Sequence, residues 1–400
     1  MRCRLCLSPD LTSVVDLGVL AFTGIFPEDP STEVPKGRLE VVLCPSCGLA
    51  QLDRDFPADV MYGSGYGYRS GLNAGMVRHL SATASRLDQL LPVDGGVVLD
   101  IGSNDGTLLG FFQDLGADCI GVDPTSSNWT EFIPPGVTVI DGFFRAVDIP
   151  VRARLVTSIA MFYDLPDRIA FARDVHTVLE PDGLWHLEVA YAPAMLRSGA
   201  FDTICHEHTE YYSLTSLLNI LDVAGFCIVN ASTNATNGGS IAVTAAKKSS
   251  RWAPDMTIVP WLLAMESRAD VGDPSTWRRF AHRVRQQRDD LLGLLSALKV
   301  RDGAVIKGLG ASTKGNVLLQ TTGIGPMLVD AIGDVNPDKW GRVTPGTHIP
   351  IVPEEDVLDA DYLLVLPWHF REGFMTRMDG YLAGGGKLIF PLPDIEIVGY

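Results

Sequence analysis

The chain has 400 residues, with 32 Lys and Arg against 48 Asp and Glu, and its formal charge is −16. Hydrophobic residues make up 46% of it, which supports packed cores and, at roughly 150 residues per domain, predicts two to four domains. So acidic a chain argues against a nucleic acid or an anionic membrane as partner, because their phosphates would be repelled. No apolar run approaches the roughly 20 residues of a membrane-spanning helix, and no secretory signal peptide is evident. We therefore expect a soluble, cytoplasmic protein.

The first 50 residues contain two Cys-x-x-Cys pairs, Cys3 with Cys6 and Cys44 with Cys47. Two such tight turns are the usual way to present four thiolates to Zn²⁺, and four sulfurs leave no open position for a substrate. Disulfides are disfavoured in a reducing cell, and unpaired thiols are the other alternative. The spacing therefore predicts a structural zinc module with short strands at 14–19 and 38–43.

The rest of the chain divides by pattern. A helical pattern begins near residue 72, and residues 274–300 predict one amphipathic helix. Apolar strands and helical segments alternate at 97–101, 108–115, 119–122, 155–160, 170–179 and 184–189, which indicates an open, mostly parallel sheet. A second strand–glycine turn–helix unit begins at 304, with further strands at 327–335, 362–366 and 387–390. We expect an α/β protein divided into a zinc module (1–70), a cofactor-binding domain (71–250), a helical linker (251–300) and a second Rossmann-like domain (301–400).

A glycine turn follows the first strand of the cofactor-binding domain. Gly102 and Gly106 allow the backbone to pass close to a ligand, but their spacing differs from the G-x-G-x-x-G of NAD-binding proteins. The next strand ends at Asp123, whose carboxylate can accept both hydroxyls of a ribose. This combination favours S-adenosylmethionine (SAM) over other nucleotides, although a generic Rossmann turn remains the alternative. The predicted cofactor-binding residues are Asp100, Gly102, Asn104, Asp105, Gly106 and Asp123.

The densest polar cluster runs from Asp202 to Tyr212 and contains His206, Glu207 and His208. Imidazoles beside carboxylates and tyrosines can supply a general base, its orienting partner and donors for an oxyanion. A metal site is a rival interpretation of the two histidines, but no third ligand stands at a suitable spacing. The remaining alternative is a structural role, in which both histidines are hydrogen-bonded inside a buried turn.

Two glycine-rich loops complete the candidate sites. The loop from Tyr62 to Ser70 alternates glycine with tyrosine, which is typical of a binding loop with phenol donors or of an aromatic lid. The turn at Gly308 and Gly310, followed by Lys314, could hold an anion at the helix N-terminus, or it could serve packing alone. An NAD(P) site at this turn, with Asp330 as its carboxylate, is a further alternative.

Taken together, these motifs resemble one enzyme family. The two cysteine pairs, the turn after Asp100, the His-Glu-His and Tyr-Tyr cluster, the Asn237-Gly-Gly segment, the 310–316 loop and the 344–350 segment occur in this order. They resemble the SAM-dependent C-methyltransferases of deoxysugar biosynthesis, which act on nucleotide-linked 4-keto-6-deoxy sugars. The resemblance covers essentially the whole chain.

The resemblance implies zinc in the first module, SAM in the middle domain and a last domain that helps enclose the sugar nucleotide. It implies that His208 is the base, that Glu207 lies beside it, and that Tyr66 or Tyr68 contacts the substrate; Tyr211 is a further candidate donor to an enolate. The expected substrate-binding residues are Cys205, Asp164, Asn237, Ser312, Lys314, Asn316, Asn336 and Thr347.

Two positions depart from the family pattern. Family members usually have a tyrosine where Cys205 stands, and commonly a histidine near Asp164. These changes leave open which sugar is used and which ring carbon is methylated. An oxidoreductase that uses the Gly308 turn, and a non-catalytic zinc and Rossmann scaffold, are the competing functions.

Overall fold

The computed structural model describes residues 1–62 and 67–400 and divides them among three β-sheets with helices packed between and against them. Tyr66, assigned above to the tyrosine loop, lies outside the described residues. Within the described ranges, no helix is both long and apolar enough to cross a membrane. The expected mixed α/β architecture is confirmed.

The first sheet is antiparallel and joins distant parts of the chain. Its first three strands are β1 (Thr12–Ala21), β2 (Lys36–Leu43) and β3 (Ala50–Leu52), and its fourth is β9 (Glu210–Tyr211), in that order. Ala50 pairs with Tyr211. This pairing holds the polar cluster that precedes β9 against the cysteine-containing module.

The second sheet has seven strands in the order β10-β11-β8-β7-β4-β5-β6. Its strands are β4 (Val97–Ile101), β5 (Asp118–Asp123), β6 (Thr138–Asp141), β7 (Ala153–Ile159), β8 (Leu179–Ala190), β10 (Phe226–Asn234) and β11 (Ser240–Lys247). The five strands from β8 to β6 run parallel, while β10 and β11 pair antiparallel at the other edge.

Helices cover both faces of this sheet, as a doubly wound fold requires. The helices up to residue 223 are α1 (Ala58–Met61), α2 (Ala74–Leu90), α3 (Thr107–Asp114), α4 (Arg168–Val178), α5 (Ala192–Ser198) and α6 (Leu214–Val223). Helices α2 and α3 form one apolar cluster with Val98 and Leu155, whereas α4 and α6 pack with Leu99 and Val156 from the opposite face. Asn73 begins α2 by accepting hydrogen bonds from two of its first N–H groups.

The third sheet has the order β14-β13-β12-β15-β16-β17, parallel except for the last strand. Its strands are β12 (Ile306–Leu309), β13 (Ile332–Asp334), β14 (Ile351–Pro353), β15 (Tyr362–Val365), β16 (Lys387–Phe390) and β17 (Glu396–Val398). The helices after residue 250 are α7 (Ile258–Arg268), α8 (Pro274–Ser296), α9 (Thr313–Thr322), α10 (Arg371–Arg377) and α11 (Asp379–Ala383).

The helix predicted over 274–300 is shorter than expected as a regular helix. Helix α8 ends at Ser296, and Ala297–Arg301 continue it as a wider π-helical turn. The predicted apolar face is buried as expected, and it packs in one core with the first and third sheets. Its buried residues are Trp277, Phe280, Val284, Leu291, Leu295 and Leu298.

Candidate active site

The four cysteines of the first module meet in one cluster. The sulfurs of Cys3, Cys6, Cys44 and Cys47 lie within 4.8 Å of one another, and the Cys3–Cys47 and Cys6–Cys44 pairs are 3.5 Å apart. Zn–S bonds near 2.3 Å in a tetrahedron place sulfurs about 3.8 Å apart, so the cluster fits Zn²⁺. Gly48 closes the second turn, with φ of 74° and its N–H donating to the Cys44 carbonyl at 2.8 Å. Four thiolates complete the coordination and make this a structural centre.

The first glycine turn lies between β4 and α3. Gly102, Asn104 and Gly106 all have positive φ, at 80°, 49° and 77°, which a β-carbon disfavours at the glycine positions. A β-carbon at Gly102 would also lie 2.9 Å from the Met161 side chain. The turn therefore needs its glycines both for its conformation and for the close approach of the segment after β7.

Asp100 is a buried residue of β4, two residues before Gly102. The Thr157 hydroxyl donates to its Oδ1 at 2.6 Å, and burial raises the pKa of Asp100 to about 7. The structure thus gives this predicted cofactor-binding residue a partner on the neighbouring strand.

Asp123, at the end of β5, is bonded to the turn. Its Oδ2 accepts the Asn104 N–H at 2.8 Å, and its Oδ1 accepts the N–H and hydroxyl of Thr125 at 2.7 and 2.6 Å. A carboxylate has about four acceptor positions, so one of them remains for a ribose hydroxyl. The expectation that Asp123 accepts both ribose hydroxyls stays a prediction, and it would require the Thr125 hydroxyl to give up its bond to Oδ1.

Residues 67–71, called the strap below, lie across this turn. The Asn104 side chain accepts from Ser70 N–H at 2.9 Å and donates to the Tyr68 carbonyl at 3.1 Å, and Asp105 accepts from Gly71 N–H at 2.8 Å. Asn104 and Asp105 thus use their side chains on the strap. The Tyr68 side chain itself is exposed.

His208 has a defined tautomer. Its Nδ1 lies 2.8 Å from the Thr203 carbonyl oxygen, and since a carbonyl only accepts, Nδ1 carries the hydrogen and Nε2 keeps a lone pair. Its ring lies 4.2 Å from the Tyr163 ring, centroid to centroid. Burial and the nearby positive charge of Lys314 lower the pKa of His208 to about 3. The imidazole is therefore neutral at pH 7, as a general base must be.

His206, two residues earlier, is a core residue. Its ring packs between Phe22 and Phe56 at centroid distances of 4.6 and 4.8 Å, and its Nε2 lies 3.3 Å from the Gly37 carbonyl. Burial lowers the pKa of His206 to about 4. The structural interpretation therefore holds for His206, and the two histidines form no metal site in the part of the chain that the structure describes.

Glu207, Asp164, Cys205 and Tyr211 lie together beside His208. Burial, joined by the charge of Glu207, raises the pKa of Asp164 well above its usual value, and burial also raises the pKa of Glu207. The pKa of Tyr211 is raised first by burial and then by Cys205, Glu207 and Asp164. The Tyr62 hydroxyl donates to Asp164 Oδ2 at 2.7 Å. The structure thus brings four predicted residues into one acidic cluster.

Lys314 reaches from α9 to two loops of the middle unit. Its ammonium donates to the Asn237 carbonyl at 2.6 Å and to the Thr203 hydroxyl at 3.3 Å, and its charge opposes the rise that burial causes in the pKa of Asp202. The Trp368 indole N–H donates to Asp202 Oδ2 at 2.8 Å. These contacts close the third unit against the loop that carries His208.

The second glycine turn, between β12 and α9, is filled by the protein itself. Gly310 has φ of 78°, Ala311 N–H donates to Asp334 Oδ2 at 2.7 Å, and Lys339 Nζ donates to the Ala311 carbonyl at 2.8 Å while lying 3.8 Å from Asp334. Ser312 caps α9 by accepting one of its N–H groups at 3.0 Å. This geometry favours a packing role for the turn over an anion site.

The remaining predicted substrate residues bridge segments of the protein. Asn316 donates to the Thr23 carbonyl at 2.7 Å, and Asn336 donates to the carbonyl of Gly67 at 3.3 Å. The Thr347 hydroxyl lies 2.7 Å from that of Thr344. Asn316 and Asn336 thus hold the third unit to the first module and to the strap, whereas the Thr347 contact is local.

Several residues of the site escaped the sequence analysis. Asp334 follows its glycine turn as Asp123 follows the first one, and an Ile-Gly pair ahead of each was an available signal. Asp330, named instead for the alternative function, pairs with Lys299 at the surface. His369 lies beside Lys314, whose charge adds to burial in lowering the pKa of His369, and nothing in its local sequence indicated this position.

The arrangement defines a class of protein: a Rossmann-like nucleotide-cofactor unit beside a neutral histidine, joined to a structural thiolate metal centre. Residues 3–62 match the family described as "Putative zinc binding domain", residues 76–231 a methyltransferase domain, and residues 235–393 the C-methyltransferase C-terminal domain.

The full-length comparison agrees. The chain is 31% identical to the C-methyltransferase NovU of Streptomyces niveus, over 99% of this chain and 96% of that protein. Among solved structures, the 1,6-didemethyltoxoflavin-N1-methyltransferase of Burkholderia thailandensis aligns with TM-score 0.38 and 17% identity, covering 52% of this chain and 95% of that one. The magnesium protoporphyrin IX methyltransferase of Synechocystis PCC 6803 aligns with TM-score 0.35 and 15% identity, covering 44% and 84%.

The chain belongs to the C-methyltransferase family. It is a SAM-dependent enzyme with a zinc-binding N-terminal module. The alternatives of an NAD(P)-dependent oxidoreductase and of a non-catalytic scaffold are therefore wrong.

Proposed function

We propose that the enzyme methylates the carbon next to the ketone of a nucleotide-linked 4-keto-6-deoxy sugar, with His208 as the base. The observation that carries this proposal is the tautomer of His208. The Thr203 carbonyl at 2.8 Å holds the hydrogen on Nδ1 and leaves the Nε2 lone pair available for a proton. The motif resemblance described above supports the sugar nucleotide as the substrate class.

The reaction needs a proton to leave carbon before a methyl group arrives. His208 Nε2 takes the proton next to the ketone, and the electron pair of the broken C–H bond forms an enolate. The carbon of that enolate is the nucleophile. The imidazolium that results then loses its proton to solvent, which returns the base to its starting form.

The bound cofactor has a limited and specific role. When bound, SAM supplies an electrophilic methyl group on a positively charged sulfur, which keeps the electron pair of the broken C–S bond as the new C–C bond forms. The Gly102–Gly106 turn and Asp123 would hold its adenosine part. The strap lies across this turn and is bonded to Asn104 and Asp105.

The enolate oxygen requires a hydrogen-bond donor. Tyr211 is 4% exposed, and its hydroxyl has no hydrogen-bond partner among the described residues. A buried hydroxyl without a hydrogen-bond partner carries a desolvation cost, and a hydrogen bond to a ligand would offset that cost. Tyr211 is therefore the donor we assign, and the raised pKa keeps its hydroxyl protonated for this task.

The test compares a variant of His208 with a control variant of the neighbouring His206. His208→Asn removes the lone pair at Nε2, and we expect at least a hundredfold loss of kcat on a 4-keto-6-deoxy sugar nucleotide, followed as a 14-dalton gain in product mass. His206→Phe changes the neighbouring core histidine and should keep methyl transfer. Both variants should bind S-adenosylhomocysteine (SAH) as the wild type does. Full turnover by His208→Asn would exclude His208 as the base.

A further inference from the structure

A buried arginine joins the four-cysteine centre to the segments that form the candidate site. Arg168 is the first residue of α4, and it is 2% exposed. Its Nη1 donates to the Arg4 carbonyl at 2.9 Å. Arg4 stands between Cys3 and Cys6, in the first cysteine turn. The guanidinium of Arg168 is therefore bonded directly to the backbone of that turn.

The remaining contacts of Arg168 reach two segments of the site. Its Nη2 donates to the carbonyls of Leu165 and Pro166 at 3.2 and 3.0 Å, just after Asp164. Its Nη1 also lies 2.5 Å from Glu210 Oε1, in an ion pair whose side chains are 2% and 1% exposed. One side chain thus holds the end of the first segment and the start of β9.

The Arg4 side chain makes a second connection between the same parts of the molecule. Its Nη1 donates to the carbonyls of Leu52 and Thr209 at 2.8 and 3.2 Å, and its backbone N–H donates to Gln51 Oε1 at 2.8 Å. Thr209 donates its own N–H and hydroxyl to the Tyr163 carbonyl at 3.0 and 2.8 Å. The cysteine turn and both segments of the site therefore share one hydrogen-bond network.

The burial of this network makes it sensitive to the loss of a member. Burial raises the pKa of Glu210, and the charges of Arg168 and Arg4 oppose that rise. Removal of one partner from a buried ion pair is strongly destabilising, because the other charge stays buried and unpaired. A guanidinium carries five donors in a fixed planar fork, so a single arginine can set the relative positions of several segments.

The groups assigned to catalysis lie at the end of this network. Glu210 comes two residues after His208 and directly before Tyr211. The Tyr212 hydroxyl donates to Glu210 Oε2 at 2.5 Å. The ring of His208 lies 4.2 Å from that of Tyr163, which belongs to the other segment. A displacement of Glu210 therefore moves the base and the enolate donor relative to the segment that they face.

We propose that Arg168 is a positioning residue, through which the four-cysteine centre fixes His208 and Tyr211 for catalysis. Zinc would hold the first cysteine turn in place. The turn then holds Arg168 through the Arg4 carbonyl, and Arg168 holds both segments of the site. This inference rests on the proposed function for the roles of His208 and Tyr211, and it applies to any sugar nucleotide that the enzyme methylates.

The first test removes the guanidinium. In Arg168→Met, we expect kcat on a 4-keto-6-deoxy sugar nucleotide to fall at least about tenfold, while the Kd of SAH stays within about twofold. Arg168→Lys keeps the charge without the fork and should recover part of kcat. The control Arg152→Met removes an arginine bonded to the Thr177 and Leu179 carbonyls at the far end of α4, and it should change neither value. Wild-type kcat in Arg168→Met would overturn the inference.

Hydrogen exchange of the SAH complex gives a second readout that needs no sugar substrate. Removal of zinc from the wild type with a chelator should speed amide exchange in residues 161–166 and 203–212, while residues 97–123 stay protected. In Arg168→Met, the two segments should already exchange faster, and chelation should add little, because the connection is already broken. An equal effect of chelation in the wild type and in Arg168→Met would contradict the proposed connection.

A substitution that unfolds the enzyme does not remove the test. If Arg168→Met fails to bind SAH, the same comparison is made with Arg168→Lys, in which residues 161–166 and 203–212 must exchange faster than in the wild type. Unchanged exchange in that variant, together with unchanged kcat, would overturn the inference.

Two outcomes separate this inference from the proposed function. If His208→Asn keeps full turnover while Arg168→Met lowers kcat and loosens both segments, the base assignment is wrong and the positioning role of Arg168 stands. If His208→Asn loses turnover while Arg168→Met lowers only the stability and keeps kcat, the proposed function stands and the positioning role is wrong.

Discussion

The two glycine turns of this protein have the same hydrogen-bond arrangement and different contents. In the middle unit, Asn104 N–H donates to Asp123, which ends the next strand; in the third unit, Ala311 N–H donates to Asp334, which also ends the next strand. The distances, 2.8 and 2.7 Å, are nearly equal. Strand, turn and carboxylate therefore form the same structural unit twice.

What fills each turn differs. The side chains of Asn104 and Asp105 bond outward to the strap, whereas in the third unit the Lys339 ammonium lies against Asp334 and the Ala311 carbonyl. A positive charge from the protein thus occupies the second turn. A glycine turn with a carboxylate after it is a scaffold, and the groups placed around it decide whether it can hold a ligand.

The largest expected difference between the turns is in cofactor affinity. Asp123→Asn removes a charged acceptor from Asn104, from Thr125 and from a ribose hydroxyl, and we expect SAH affinity to fall about a hundredfold. The matched change Asp334→Asn should leave it within about twofold. Calorimetric titration of SAH measures both. A comparable loss in Asp334→Asn would contradict the distinction between the turns.

The second expected effect is on the free energy of unfolding, to which the Lys339–Asp334 pair at the second glycine turn contributes. Lys339→Met leaves the buried Asp334 carboxylate without its positive neighbour, so the free energy of unfolding should fall by about 2 kcal/mol. Adding Asp334→Asn to that variant should recover part of the loss, since the uncompensated charge is then gone. Denaturant unfolding measures each variant. An unchanged midpoint in Lys339→Met would mean that the pair contributes nothing to the fold.

The smallest expected effect is on the pH dependence of kcat/KM, which should change when Lys314 is replaced but not when Lys339 is replaced. Lys314 lowers the pKa of His208, so Lys314→Met should raise that pKa. The protonated, inactive imidazole then persists to higher pH, and the acidic limb of kcat/KM moves upward, with KM for the sugar nucleotide rising about tenfold. In Lys339→Met the limb should stay in place. A downward shift in Lys314→Met would contradict the assignment of His208 as the base.

Much of the middle unit was predictable from local pattern. The strand predicted at 97–101 is β4 (Val97–Ile101), and the strand predicted at 155–160 overlaps β7 (Ala153–Ile159). The cysteine spacing predicted a cluster that the structure contains. These features depend on side-chain periodicity and on turn conformations that a few neighbouring residues decide.

Within the polar cluster, the sequence could not tell which of the two histidines is a core residue and which lies in the candidate site. His206 and His208 stand two residues apart in one motif, yet one packs against Phe22 and Phe56, and the other lies beside Tyr163 with its Nδ1 on the Thr203 carbonyl. Which of them is a core residue depends on aromatic rings that come from the first module. Spacing within the motif carries no information about those distant neighbours.

By itself, the sequence determined the α/β class, the cysteine centre, the first glycine turn and the family, because each is recognisable from short motifs and from their order along the chain. Tertiary structure decided the rest. The pairing of Ala50 with Tyr211 and the reach of Lys314 to Asn237 join segments far apart in sequence. The acidic cluster of Asp164 and Glu207 arises in the same way. Such contacts are selected by the packing of whole units, and local residue pattern does not encode them.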